Sequence, residues 1–300
     1  MRKLSGLRRM ALRFTVWSVA VLTLVTTGAT AATMEQAKVN IREMLKRDFG
    51  LDLHISGGLG QRKDDPIVIL DTSPLAASFT QMQVLRGIGK GRGVLWRTLA
   101  RTPVQDASTA LEQVKIETKE VTNTEVITQV ENYYFDISAS IQKGGSLPLA
   151  VTTSKGCSHN LPYELGWLHY DGSVDNEPHN PGLGQSVAYG APGTKVTIYV
   201  YDKQQTNIPS SIEAEPVIRE FENAQSDLLK AHPAATPLAP AFSGKALHIR
   251  PFEVDGDVSL VALGVCRGKF VKARLTHVDD PILREVAKQF FSEMNALLSE

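Results

Sequence analysis

Residues 195–202 read KVTIYVYD. In an extended chain Val196, Ile198 and Val200 point one way and Thr197, Tyr199 and Tyr201 the other, which gives one apolar face and one face of rings and hydroxyls. Two strand patterns precede it, GWLHYD (166–171) and QSVAYG (185–190). A helical pattern follows over 215–232, where Val217, Phe221, Ala224 and Leu228 recur at helical spacing. The Pro- and Ala-rich connector HPAATPLAPAFSG (232–244) then leads to three more strand patterns, ALHIRPFEV, VSLVALGV and KFVKARLTH. A closing helix is predicted after them. Asp279 or Asp280 can cap it, Pro281 suits its first position, and Ile282, Val286, Phe290, Met294 and Leu297 form its apolar stripe. Three strands, a helix, three strands and a helix define an α+β class. Each helix has one apolar face, so an antiparallel sheet packed by helices, an α/β sandwich, is expected for residues 154–300.

This element order, with KVTIYVYD before one helix and KFVKARLTH before the last, resembles the PsbP-like α/β sandwich and several uncharacterised secreted bacterial proteins. The resemblance covers residues 160–300. It implies a fold whose members are mostly non-enzymatic accessory or binding proteins, and it assigns no site residue.

The preceding portion, 32–153, reads as a helix followed by a β-rich stretch. Thr33 and Gln36 form a capping box, Met34, Ala37, Ile41, Met44 and Leu45 share a helical face, and Gly50 is a stop. Strands are expected at PIVILD (66–71), FTQMQVLR (79–86), VLWRTLAR (94–101), LEQVKIETKEV (111–121) and EVITQVENYYFDISASI (125–141), with a hairpin about 122–124. GIGKGRG (87–93) could present backbone amides to a phosphate, but it lacks the spacing and the Ser or Thr of a Walker loop. Its flanks read as strands, so a hairpin turn with a basic tip is expected. The two portions, 32–153 and 154–300, can equally form one continuous domain.

Residues 1–31 read as a signal peptide. Arg2, Lys3, Arg8, Arg9 and Arg13 precede the apolar run FTVWSVAVLTLV (14–25), and Ala29-Thr30-Ala31 supplies a cleavage pattern. The apolar run is short for a membrane span, so membrane contact is expected only through this peptide before cleavage. Export to the periplasm or outside the cell follows. Five of the 32 Lys and Arg lie in this leader, which leaves 27 against 32 Asp and Glu. A mildly acidic chain with no basic face argues against a nucleic-acid partner. Cys157 and Cys266 could pair in an oxidising compartment, closing a loop of over a hundred residues, or stay as buried thiols.

Catalytic motifs are incomplete. GQSVA (184–188) has Ala188 where a nucleophile elbow needs glycine, SIQK (140–143) has no companion motifs, and Cys157 with His159 has no third group to hold a dyad. No cofactor fingerprint is present. VDNEPHNPGLG (174–184) concentrates Asp175, Asn176, Glu177, His179 and Asn180 among two prolines and two glycines. Turn chemistry explains that composition, and a firmly held loop is also where ligands bind. These five residues, with Tyr199 and Tyr201 as aromatic platforms, are the candidate ligand contacts. Lys272 and Arg274 share one face of KFVKARLTH and could attract an anion. The expected function is an exported, non-catalytic envelope or periplasmic protein that binds an envelope protein or small ligand. The alternative is a periplasmic hydrolase or metal-dependent enzyme built on residues 157–180, with His169, Asp171 and His179 as metal ligands.

Overall fold

The first helix, α1 (Ile41–Phe49), begins where Asn40 accepts a hydrogen bond from the Arg42 amide at 3.0 Å. It ends at Gly50, whose φ of 69° lets its N–H close on the last carbonyls. This is a computed structural model that describes residues 40–106, 108–121, 125–149, 161–240 and 242–299. The expected cap at Thr33 and the leader lie outside them. Strands β1 (Ile55–Arg62) and β2 (Asp65–Ile69) form a hairpin, and helix α2 (Pro74–Arg92) follows.

Helix α2 corrects two expectations. FTQMQVLR is not a strand and GIGKGRG is not a hairpin turn, since both belong to one 19-residue helix that stops at Gly93 (φ 67°). The glycines serve packing. A Cβ on Gly87 would come within 2.5 Å of Leu45, one on Gly91 within 2.8 Å of Phe49, and one on Gly89 within 2.3 Å of the Trp96 ring. Close approach of α1 and Trp96 outweighs the ~1 kcal/mol that each glycine costs a helix. Ala77, Gln81, Val84 and Leu85 supply the buried helical face.

The first sheet is completed by β3 (Leu95–Val104), β4 (Leu111–Val121) and β5 (Val126–Asp136), in the order β1-β2-β5-β4-β3. All its pairs are antiparallel except β2 with β5, where Ile67 lies opposite Phe135 in parallel register. Val114, Ile116, Tyr133 and Phe135 face the core beneath α1 and α2. Strand β1 escaped the sequence reading because SGGLG has no β-branched residue to signal it.

The second sheet contains β6 (Glu164–Leu165), β7 (Leu168–Asp175), β8 (Gln185–Ala191) and β9 (Thr194–Tyr201) before helix α3 (Glu215–Ala231). The connector carries the short strands β10 (Thr236–Pro237) and β11 (Phe242–Ser243). Then come β12 (His248–Val254), β13 (Asp257–Cys266), β14 (Lys269–Val278) and helix α4 (Pro281–Leu298). The order is β10-β12-β13-β14-β9-β8-β7-β6, all antiparallel, with β11 on β12. Asp280 caps α4 by accepting from the amides of Ile282 and Leu283.

Alternation along the central strands divides this half into layers. Val196, Ile198 and Val200 pack with Ala273, Leu275, Phe290 and Met294 of the α4 core. Tyr201, Phe270, Val261 and Leu263 pack on the opposite face with Val217, Phe221 and Leu228 of α3. Burying a side chain of this size contributes about 1.5–3 kcal/mol, which ties each helix to its face. Strand β3 joins the halves, for Leu95 enters the α4 core while its neighbour Trp96 enters the first core. The described residues all fall within one compact unit.

Candidate functional site

The α3 face of the second sheet is only partly covered. Beneath α3, Tyr201 is 4% exposed and donates to Glu220 Oε1 at 2.6 Å, while Lys203 Nζ reaches Glu220 Oε2 at 2.5 Å. Burial and the adjacent carboxylate raise the Tyr201 phenol above its usual range. Tyr201 is therefore committed to the fold. Tyr199, two residues earlier on the same face, stays partly exposed.

Across from Tyr199 in the β9–β14 register stands Lys272, and across from Thr197 stands Arg274. The Lys272 ammonium lies 4.8 Å from the Tyr199 ring centroid and 5.6 Å from that of Tyr201. Burial lowers its pKa, with Glu220 and Asp227 nearby working the other way. Arg274 is held from two sides: its Nε donates to Ser259 Oγ at 3.3 Å and its Nη2 to His232 Nε2 at 3.1 Å. An arginine has no acceptor, so His232 uses a lone pair here and its Nδ1 is left for Asp255, 3.4 Å away. Among the described residues neither Lys272 nor Arg274 has a carboxylate within ion-pair distance.

Tyr199, Thr197, Arg274 and Thr276 line a groove of about 590 Å³, open to solvent beyond α3. Lys195 stands at one side and Asp257 at the far end. Asp257 pairs in register with Val278, four residues along β14 from Arg274, which separates the two by about 13 Å at strand spacing. Thr194 also lines the groove. It is 2% exposed, and its Oγ1 has no hydrogen-bond partner among the described residues. Thr194 alternates with Val196 and Ile198, so this buried hydroxyl belongs to the α4 side of the sheet and not to the Tyr199 face.

The 174–184 stretch is a built turn between β7 and β8. Asp175 Oδ1 accepts from the Glu177 amide, and the Asn176 carbonyl accepts from the amides of His179 and Asn180. The Glu177 carboxylate accepts from the amides of Gly182 and Gly184 at 3.0 and 2.8 Å. Gly184 has φ 56°, and a Cβ there would meet the Val200 carbonyl at 2.0 Å. Gly182 O accepts from the Lys203 amide and Pro181 O from Gln204 Nε2, so the loop is fixed to the end of β9. Glu177 thus holds the loop shut, while His179 is exposed at its tip.

The metal alternative is not assembled. His169 is buried, stacks on Trp96 at 3.8 Å between centroids, and bonds the Trp96 carbonyl at 3.0 Å. Burial pushes its pKa down to about 3, so it stays neutral. Asp171 pairs with Arg86 on α2. No group of three His, Cys, Asp or Glu in a metal-binding arrangement occurs among the described residues. Cys157 and His159 lie outside them. Cys266 is buried at the end of β13, and no described cysteine is a free thiol.

One buried carboxyl was not visible in the sequence. Glu164 on β6 accepts from the Thr98 amide at 2.6 Å and from Thr98 Oγ1 at 2.8 Å. Burial, with Glu293 of α4 adding a like charge, raises its pKa to about 7 despite those bonds. It links β3 to the second sheet, beside the His169–Trp96 contact.

No protein-family model matches the chain, and no curated protein matches it. Among solved structures a likeness was found to the dehydratase domain from the terminal module of the rifamycin polyketide synthase. It is 11% identical, covers 69% of this chain and 81% of that one, and has a TM-score of 0.16. A likeness at that level bears on neither fold nor function.

Proposed function

We propose that this chain is an exported, non-catalytic binding protein of the cell envelope, and that it binds its partner or ligand at the open half of the β9–β14 face. The observation that carries this reading is the groove, where Arg274, with no carboxylate partner, and the partly exposed Tyr199 are lining residues and the Lys272 ammonium stands 4.8 Å from the Tyr199 ring. Preorganised polar groups in a concavity are the usual form of a binding site. The basic, apolar and small-residue order of residues 1–31 supports export. The element order that resembles PsbP-like sandwiches is in keeping with an accessory role.

The test has two arms. Expression with the native leader, followed by fractionation and N-terminal sequencing, should give an exported protein that starts at Ala32. Isotope-labelled exported protein titrated with soluble cell-envelope extract should show amide shifts concentrated on β9 and β14 around Tyr199 and Arg274. Retention in the cytoplasm, or shifts that avoid those strands, would overturn the proposal.

A further inference from the structure

We infer that the groove takes an acidic saccharide, with Lys272 and Arg274 holding its carboxylate or sulfate and Tyr199 stacking on a sugar ring. This rests on the binding reading above and names the class of ligand.

The chemistry follows from the Tyr199–Arg274 side of the groove. Lys272 is not a lining residue but stands beside it, its ammonium 4.8 Å from the Tyr199 ring, partly buried and with no carboxylate within ion-pair distance. An oxyanion seated at Arg274 therefore has a second, poorly solvated charge two residues along the same strand face. Interactions with such groups are stronger than with hydrated surface lysines. Arg274 adds a planar donor fork whose orientation is already fixed by Ser259 and His232, so little rotamer freedom is lost on binding. A bare anion would use only these two groups. The rest of the groove offers hydroxyls at Thr197 and Thr276, an aromatic face at Tyr199, and a carboxylate at Asp257. Those are partners for ring hydroxyls and for the apolar face of a sugar. Asp257, about 13 Å along the strand from Arg274, would repel a second acidic group but accept hydrogen bonds from hydroxyls. The ligand should therefore carry its charge at one end, seated at Arg274.

The experiment is calorimetric titration of the exported protein with an oligogalacturonate, a sulfated disaccharide, neutral maltotriose and inorganic sulfate. At least one acidic saccharide should bind at least ten-fold more tightly than both maltotriose and inorganic sulfate. The choice between the first two identifies carboxylate or sulfate as the anchoring group. Arg274→Gln and Lys272→Met should each weaken that binding about ten-fold or more, with the urea midpoint reporting that the fold is kept. Added salt should weaken it in the unaltered protein, which needs no variant. Equal affinity for inorganic sulfate would overturn the saccharide assignment. Failure of every acidic saccharide would do so too. If envelope extract still shifts β9 and β14, only the ligand class falls; if it does not, the binding reading falls with it.

Discussion

Glu164→Gln should remove a pH dependence of stability that the natural protein has. The folded carboxyl keeps its proton up to about pH 7, whereas an unfolded glutamate loses it near 4.5. The folded state therefore holds more protons between those values, and stability falls as pH rises through them. Each pH unit is worth about 1.4 kcal/mol, so the full loss is about 3 kcal/mol. This is an upper limit, because the residue keeps some solvent contact. His169 works in the other direction. It stays neutral down to about pH 3 when folded, while an unfolded histidine takes a proton below about 6.5, so its contribution rises with pH across that window. Between pH 4.5 and 6.5 the two slopes oppose one another. Glutamine can still accept from the Thr98 amide and can donate to Thr98 Oγ1, so the exchange removes the titration with little change in bonding. Urea unfolding of both proteins at pH 4.5, 5.5, 6.5 and 8 measures this. The variant should gain on the natural protein by up to about 3 kcal/mol from pH 4.5 to 8, since every other carboxylate contributes equally to both. Parallel curves would refute the reasoning.

Gly89→Ala should destabilise by about 1–3 kcal/mol despite the better helix propensity of alanine, because its Cβ would overlap the Trp96 ring; a higher melting temperature would contradict the packing account. Glu112, fully buried, accepts from Gln81 and Arg101 and from the Leu147 amide. Glu112→Ala should cost about 3–5 kcal/mol by stranding Arg101, read as a fall in urea midpoint. If Cys157 and Cys266 are bridged, the protein's intact mass should be two hydrogens short, and reduction should lower stability by about 2–4 kcal/mol.

Much of the second half was legible because its cues are local. The alternation of KVTIYVYD separates the α4 core from the α3 face, and Asp280-Pro281 caps the last helix as its chemistry requires. The side-by-side placement of Lys272 and Arg274 also follows from alternation alone. What alternation does not reveal is the neighbour. Arg274 is held by His232, 42 residues away in sequence, and Glu164 by Thr98, 66 residues away. Helix α2 eludes local cues for a related reason. Its Gly87, Gly89 and Gly91 look like a turn until Leu45, Trp96 and Phe49 are known to press against them. The turn at 174–184 follows from its Pro, Gly, Asp and Asn content, whereas the role of Glu177 as its internal clamp depends on distances.

The position of β14 governs when the second half can fold. This strand is the last of the described strands in sequence yet sits in the middle of the sheet, between β13 and β9. Until residues 269–278 have left the ribosome, β6 to β9 and β10 to β13 are two separate ribbons, each with an unsatisfied edge where β14 belongs. Closing them requires a contact between β9 and β14 across more than 65 intervening residues, a slow step by loop-closure entropy. The second sheet thus closes only once β14 is available. A nascent chain stalled just before β14 would present two aggregation-prone edges at once.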